Sequence, residues 1–341
     1  MSDELGLLRT MLRIRRLEEA VIRLAADPAR LVHGHVHVSI GQEAAAAGAC
    51  AALGADDSIF TTHRNHGHVL ARGGAPDRIL AEILGRVGGY SGGRAGGFHI
   101  AVPELGIRHT SAIVGGSIPL AAGAAFAARQ LGSTNVALVF FGDGAMEEGV
   151  FSETLNMAQL WHLPVVFFME NNSVSPEERS GRGSPTSEHS AGALSDVPRA
   201  YGLTTDVIDG TSVEAVGEAT RRAVAAARAG NGPCFIESRT SRWPGSYGAA
   251  PSLAQTGETD LRWMWDSSAA PEITRRWVDQ SDPLLLYGRR LLADHGRSRE
   301  ELTHLDAVVH GEMAAATQFA RQSPEPDPAT TPSLVLASDR P

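Results

Sequence analysis

Apolar positions along this chain follow two periods. Residues 136–141 and 165–169 are unbroken apolar runs rich in Val and Phe, too short for helices. They predict strands buried on both faces. Between them Val150, Phe151, Leu155, Met157, Ala158 and Leu160 fall mostly on one helical face, and Pro164 helps to end that helix. The first strand stops at Gly142-Asp143-Gly144, the second at Glu170-Asn171-Asn172. A strand–helix–strand unit of this kind places an oxygen ligand at the tip of each strand. In a parallel crossover both tips lie on one edge of the sheet, where open α/β sheets hold their ligands.

The same periods extend in both directions. Leu7, Leu8, Met11, Ile14, Leu17, Val21, Ile22 and Leu24 predict an amphipathic helix over 4–26, packed on the sheet or on a partner subunit. A short strand reaches Thr62. A helix spans 76–87, with Pro76 near its first turn and Leu80, Ile83 and Leu84 inward. The glycines of 88–106 exclude a regular element; Phe98, His99 and Ile100 give this loop anchors, and a flexible linker is the alternative. An Ala-rich helix starts at Ile118. Helix 196–201, strand 204–208, a turn at Asp209-Gly210, helix 213–229 and strand 233–238 follow. This alternation predicts an α/β fold, a doubly wound parallel sheet with helices on both faces and extra N- and C-terminal helices. The C-terminal pair covers 283–322, with Ser298 and Glu301 as a capping box. Residues 1–327 read as a single domain, and 328–341 as a Pro-rich tail; from Ser323 onward apolar anchors are lacking.

At 341 residues and 43% hydrophobic content, the chain can bury one large core. No apolar run reaches the roughly 18 residues that a membrane span needs. The first residues lack the apolar core of a signal peptide, and Asp3, Glu4, Glu18 and Glu19 argue against a transit peptide. A net charge of −9 argues against nucleic-acid binding. Cys50 and Cys234 sit in apolar surroundings and read as reduced core thiols of a cytoplasmic protein. Lysine is absent, which excludes an internal pyridoxal-phosphate Schiff base and a Walker-type lysine.

Asp143 and Asn172, with no Cys or His beside them, are hard oxygen donors suited to Mg²⁺, which shares its shell with phosphate and water. The neighbouring glycines let backbone approach a phosphate closely. A diphosphate bridged by Mg²⁺ fits this edge; a turn with an incidental Asp is the alternative. His63, Arg64, His66 and His68 crowd a loop after the strand ending at Thr62. Arg64 offers the fixed, forked charge that a diphosphate needs, and histidine can shuttle protons near neutral pH; a plain polar loop remains open. His33, His35 and His37 alternate along an extended segment, which leaves a metal reading open.

The GDG–NN pair, flanked by N-M-A-x-L-W-x-L-P at 156–164, resembles the thiamine-diphosphate (ThDP) motif of the α subunits of 2-oxo acid dehydrogenases. That family covers pyruvate, branched-chain and acetoin dehydrogenase α chains. The resemblance spans roughly 5–327. It includes GQEA at 41–44, which implies a helix ending near Leu53 and no metal at the histidine triplet, T-H-R-x-H-G at 62–67, I-V-G at 113–115 and A-R-A-G-x-G-P at 227–233. It implies the ThDP-binding fold, with Mg²⁺ held by Asp143, Asn172 and the carbonyl of Val174. It implies cofactor contacts from Arg64, Gly142, Gly144, Ala145 and Asn172, and from the backbone of Ala112 and Val114 at the aminopyrimidine end. Ala112 stands where glycine is commoner. His66 would face the active-site channel, His63 replaces a frequent Tyr, and His99 would lie toward the cofactor entrance; His66 and His63 are the candidate catalytic residues.

The implied reaction is decarboxylation of a 2-oxo acid, or cleavage of acetoin, with transfer of the acyl group to a lipoyl acyltransferase or another acceptor. Activating the cofactor needs a carboxylate beside its pyrimidine ring, and no convincing candidate stands in this chain. The resemblance implies a β subunit that supplies this Glu, in a heterotetramer of two α and two β chains. Two departures stand out. Ser246 occupies the place of the His in the family's T-Y-R-x-x-G-H-S, and loop 173–194 differs. Another residue, such as a nearby Arg or a His from the partner, would have to substitute, or the chemistry has shifted. The alternatives are a specialised ThDP-dependent carboligase or acyl transferase, and a non-catalytic scaffold subunit.

Overall fold

The computed structural model describes residues 4–29, 31–32, 36–172, 193–242 and 258–330. Expectations for His33, His35, Val174, Ser246, most of loop 173–194 and residues 331–341 lie outside these. Six strands form one sheet: β1 (Ser58–Thr62), β2 (Ile107–Ser111), β3 (Ala137–Gly142), β4 (Val165–Asn171), β5 (Thr204–Asp209) and β6 (Cys234–Arg239). Their order is β2-β1-β3-β4-β6-β5, and every pairing is parallel. In chain order the helices are α1 (Glu4–Ala25), α2 (Glu43–Ala51), α3 (His66–Ala71), α4 (Pro76–Ile83), α5 (Ser117–Gln130), α6 (Gly149–Leu160), α7 (Asp196–Ala200), α8 (Val213–Arg228), α9 (Glu272–Gln280), α10 (Pro283–Asp294) and α11 (Arg299–Gln322). Among the described residues no helix is long and apolar enough to cross a membrane.

The expected central pair holds. β3 and β4 lie side by side, with Phe140 opposite Phe168 and Gly142 opposite Glu170. Leu138, Phe140, Val166 and Phe168 enter one core with α1, α2 and α8, whereas Val139, Phe141, Phe167 and Met169 enter the other with α5 and α6. Helices on both faces explain why these strands are apolar up to their carboxyl ends. The chain passes from β1 outward to β2, then returns to β3 on the other side of β1. That reversal opens a crevice at the carboxyl ends of the strands.

Five details differ from the sequence pattern. β2 escapes the periodicity because it is an edge strand with Arg108 exposed and His109 half-buried. α9, nine residues long, was not foreseen; it buries Thr274, Trp277 and Val278. His66 and His68 lie on the short helix α3 rather than in a loop, with Val69 N–H donating to the Asn65 carbonyl. α4 ends at Ile83, short of Val87, because Gly85 adopts a φ of 66° and the chain turns back. The segment after α11 does have anchors, but polar ones: Gly88 N–H donates to Ser323 Oγ at 2.8 Å, Val87 N–H to the Pro324 carbonyl at 2.9 Å, and Arg94 to Thr330 Oγ1 at 2.7 Å.

The polar side of α1 is buried as well. Arg15, Arg16, Glu18 and Glu19 are at most 3% exposed. Arg15 donates to Glu43 at 2.6 Å, to Thr259 Oγ1 at 3.0 Å and to both oxygens of Asp282 at 2.9 Å, while Arg16 pairs with Glu19 and Asp306. These bonds tie α1 to α2, α10 and α11.

Candidate active site

The carboxyl ends of β1, β3 and β4, the turn after β2 and the segment after β6 meet around a cavity of about 280 Å³. β1 delivers His63 and Arg64, the turn after β2 delivers Ala112 and Val114, β3 delivers Gly142, Asp143, Gly144 and Ala145, and β4 delivers Glu170 and Asn172. Gln42, just before α2, and Arg242, beyond β6, close the ring. All the expected cofactor residues are therefore brought together. Of the expected metal donors, Asp143 and Asn172 share the cavity and Val174 lies outside the described residues.

Asp143 is 1% exposed and opens a 3-10 turn, Asp143–Glu147. A Cβ on Gly142 would meet nothing within 4 Å, so backbone faces open space there. Asn172 is fixed at both ends of its amide: Nδ2 donates to Gln42 Oε1 at 3.0 Å, and Oδ1 accepts from Arg242 at 3.1 Å. Oδ1 is also the atom a cation would use, through its second lone pair. Glu170, which the sequence reading left out of the site, adds a second buried carboxylate. Its Oε1 lies 3.5 Å from His68 Nε2, and His68 Nδ1 shares a hydrogen bond of 2.8 Å with Thr61 Oγ1.

Two buried guanidiniums dominate the electrostatics. Arg64 donates to the Val38 carbonyl at 2.6 Å. Its pKa is pushed down to about 10, first by burial and then by the like charge of Arg242; Glu18 and Glu170 offset this only in part. Like charges held together out of water favour a bound anion. Arg242 was missed as a site residue; its signal was its place at the end of a strand on the same edge.

The two candidate histidines separate. His63 lines the cavity, with its ring 4.6 Å from that of His37 and 6.0 Å from Phe98. Burial, then Arg64, His37, Arg242 and His66, push its pKa down to about 3, so it is neutral at physiological pH. His66 does not line this cavity. α3 turns its ring toward α1, where Nδ1 lies 3.0 Å from Glu18 Oε2; Glu18 also accepts from Ser39 N–H and Oγ. Burial disfavours the imidazolium, and Glu18 more than reverses this, so the His66 pKa is raised. His99 is exposed, its Nδ1 3.3 Å from the Thr110 carbonyl, and it does not line the cavity.

Hard oxygen donors, a bare glycine backbone and two guanidiniums suit an anionic phosphate ester with a small divalent cation. Comparison with known proteins agrees. The model of the dehydrogenase E1 component family matches residues 9–256. The chain is 35% identical over 323 residues to the α subunit of acetoin:2,6-dichlorophenolindophenol oxidoreductase of Bacillus subtilis, covering 94% of this chain and 90% of that one. It is 34% identical over 326 residues to the pyruvate dehydrogenase E1 component subunit alpha of Rhizobium meliloti (96% and 88%), and 33% identical over 341 residues to the human mitochondrial somatic form (100% and 81%). The chain belongs to the dehydrogenase E1 component family, as an α subunit of the thiamine-diphosphate-dependent 2-oxo acid dehydrogenases.

Proposed function

We propose that this chain holds the Mg²⁺-diphosphate end of ThDP in a heterotetramer of two α and two β chains that decarboxylates a 2-oxo acid. The observation that carries this reading is the meeting of Asp143, Asn172, Arg64 and Arg242 around one cavity at the sheet's switch point. The donors fit the cofactor: two oxygen ligands for Mg²⁺, two guanidiniums for the diphosphate, and open space beside Gly142 where phosphate oxygens can approach backbone N–H groups. When bound, ThDP supplies the electron sink that lets CO₂ leave.

The residues of this chain then take distinct roles. Asp143 and Asn172, with the Val174 carbonyl, hold the cation. Arg64 and Arg242 neutralise the diphosphate, and Arg242 takes up the charge that the family assigns to the loop His replaced by Ser246. The backbone of Ala112 and Val114 receives the aminopyrimidine end, and that of Gly142, Gly144 and Ala145 the diphosphate. His63, neutral in its setting, offers one donor and one acceptor to substrate rather than a charge. His66 acts from behind the cavity wall, through its pair with Glu18.

The β chain supplies the catalytic Glu and covers the apolar face that runs out from the cavity. Ile113 and Val114 line the cavity yet are 72% and 56% exposed, and α5 and α6 continue the face with Leu120, Phe126, Met157, Leu160 and Trp161. The acyl group passes to a lipoyl acyltransferase or another acceptor. We assign the enzyme to the cytoplasm, where buried thiols such as Cys50 and Cys234, with pKa values pushed by burial to about 12 and about 11, stay reduced. The test is co-expression with the β chain, addition of Mg²⁺ and ThDP, and measurement of CO₂ release across a panel of 2-oxo acids. Release from one acid, abolished by Asp143→Ala, is the expected result. ThDP binding without release from any acid would favour a carboligase, and no ThDP binding a scaffold.

A further inference from the structure

The glycine-rich stretch after α4 is wrapped around one carboxylate. Glu82 has no exposed surface. Its Oε2 accepts from Ser91 N–H at 2.7 Å and Gly93 N–H at 3.1 Å, and its Oε1 from Ala95 N–H at 2.7 Å and Gly96 N–H at 3.3 Å. Four backbone donors thus converge on one buried anion. The glycines make this possible. Gly93 and Gly96 have φ of 77° and 62°, which aims their N–H groups inward. A Cβ on Gly89 would stand 2.3 Å from Glu82 Oε2, and one on Gly93 2.4 Å from the Gly85 backbone.

The loop then packs two residues against the segment that carries His63 and His66. The Gly97 carbonyl accepts from Asn65 Nδ2 at 2.9 Å, and a Cβ at Gly97 would come within 3.1 Å of His66 Nε2. Phe98 packs against His37 and His63, with ring centroids 5.4 and 6.0 Å apart. We propose that Glu82 is a positioning residue for the active site: by gathering the loop's N–H groups it sets Phe98 against His63 and fixes the wall past which the 2-oxo acid reaches the cofactor. The catalytic part of this inference rests on the proposed function.

Two variants of the full chain, each co-expressed with its β partner, test it. Glu82→Gln keeps the size but turns an NH₂ donor on the loop's N–H donors. Phe98→Ala keeps the anchor and removes the wall. For Glu82→Gln we expect amide exchange over 88–98 to quicken, the 2-oxo acid KM to rise about tenfold, and ThDP affinity to stay within about twofold. Phe98→Ala should reproduce the KM rise with exchange over 88–96 unchanged. A Glu82→Gln loop that loosens without moving KM, or exchange that does not change at all, overturns the inference; so does an unaltered KM in Phe98→Ala. If the wild type releases no CO₂, the proposed function fails, and titration of the His63 ring by NMR still judges Glu82. Loss of the Phe98 cover should raise the His63 pKa from about 3 toward the ordinary imidazole value despite Arg64, His37, Arg242 and His66 around it. An unmoved titration overturns the role.

Discussion

Two buried arginines on this chain have opposite fates. Arg15 is wholly buried, donates to Glu43, Thr259 and Asp282, and lies 5.3 Å from the ring of Trp277. Burial alone would weaken its charge, but Asp282 and Glu43 overcompensate and its pKa stands above the ordinary value. Arg64 is 9% exposed, faces a second guanidinium, and is pushed down to about 10. Residue type and depth are nearly the same, and the local charge count decides the outcome. A matched charge fastens helices together. Two like charges that the fold holds side by side, only partly offset by Glu18 and Glu170, favour an anionic ligand.

The comparison can be broken first at Arg15. Arg15→Met leaves Glu43 and Asp282 buried without their cation, and should cost about 3–5 kcal/mol of stability, read as a lower denaturant midpoint. Neutralising the carboxylates as well, with Glu43→Gln and Asp282→Asn, should restore most of the loss, while ThDP affinity of the folded fraction stays put. Arg64→Gln should do the reverse. It relieves repulsion, so the midpoint should hold or rise, while calorimetric affinity for Mg²⁺–ThDP falls about 100-fold, or about 2.7 kcal/mol. If Arg64→Gln unfolded the chain as readily as Arg15→Met, the distinction between the two arginines would be lost.

What the sequence disclosed follows the same division. β3 and β4 were legible because strands covered on both faces must be apolar throughout, and Asp143 and Asn172 because they interrupt those runs at their ends. β2 was not legible: an edge strand with Arg108 and His109 shows no period. The burial of the polar side of α1 was not legible, since the acids that pair with Arg15 stand 28 and 267 residues away from it. Arg242 was foreseen only as an unnamed nearby Arg, because its place depends on β6 ending on the same edge as β3. His66 was assigned to the channel on its motif, and Glu18, 48 residues earlier, draws it inward. Glu82 left no trace, for its partners are backbone N–H groups that every residue but proline carries.

The smallest expected effect sharpens the comparison, because Glu18 and His66 are a matched pair whose carboxylate also acts on Arg64. Burial raises the pKa of Glu18, but His66 and Ser39 outweigh it and the net shift is downward; His66 is shifted upward. The raised imidazole stabilises the fold fully below its unfolded-state pKa, and this contribution is lost as pH rises through its folded-state value. The depressed carboxylate stabilises above its own unfolded-state pKa and is lost as pH falls through its folded-state value. The pair is therefore strongest between the two unfolded-state values, roughly pH 4.3 to 6.5. Glu18→Gln should lower stability by about 1–3 kcal/mol near pH 6, measured as urea midpoints. That gap to the wild type should narrow as pH climbs past the folded-state pKa of His66, because the wild type then keeps a buried carboxylate beside a neutral ring. A gap that stayed constant to alkaline pH would mean that His66 is neutral throughout, with Glu18 acting through Ser39 alone.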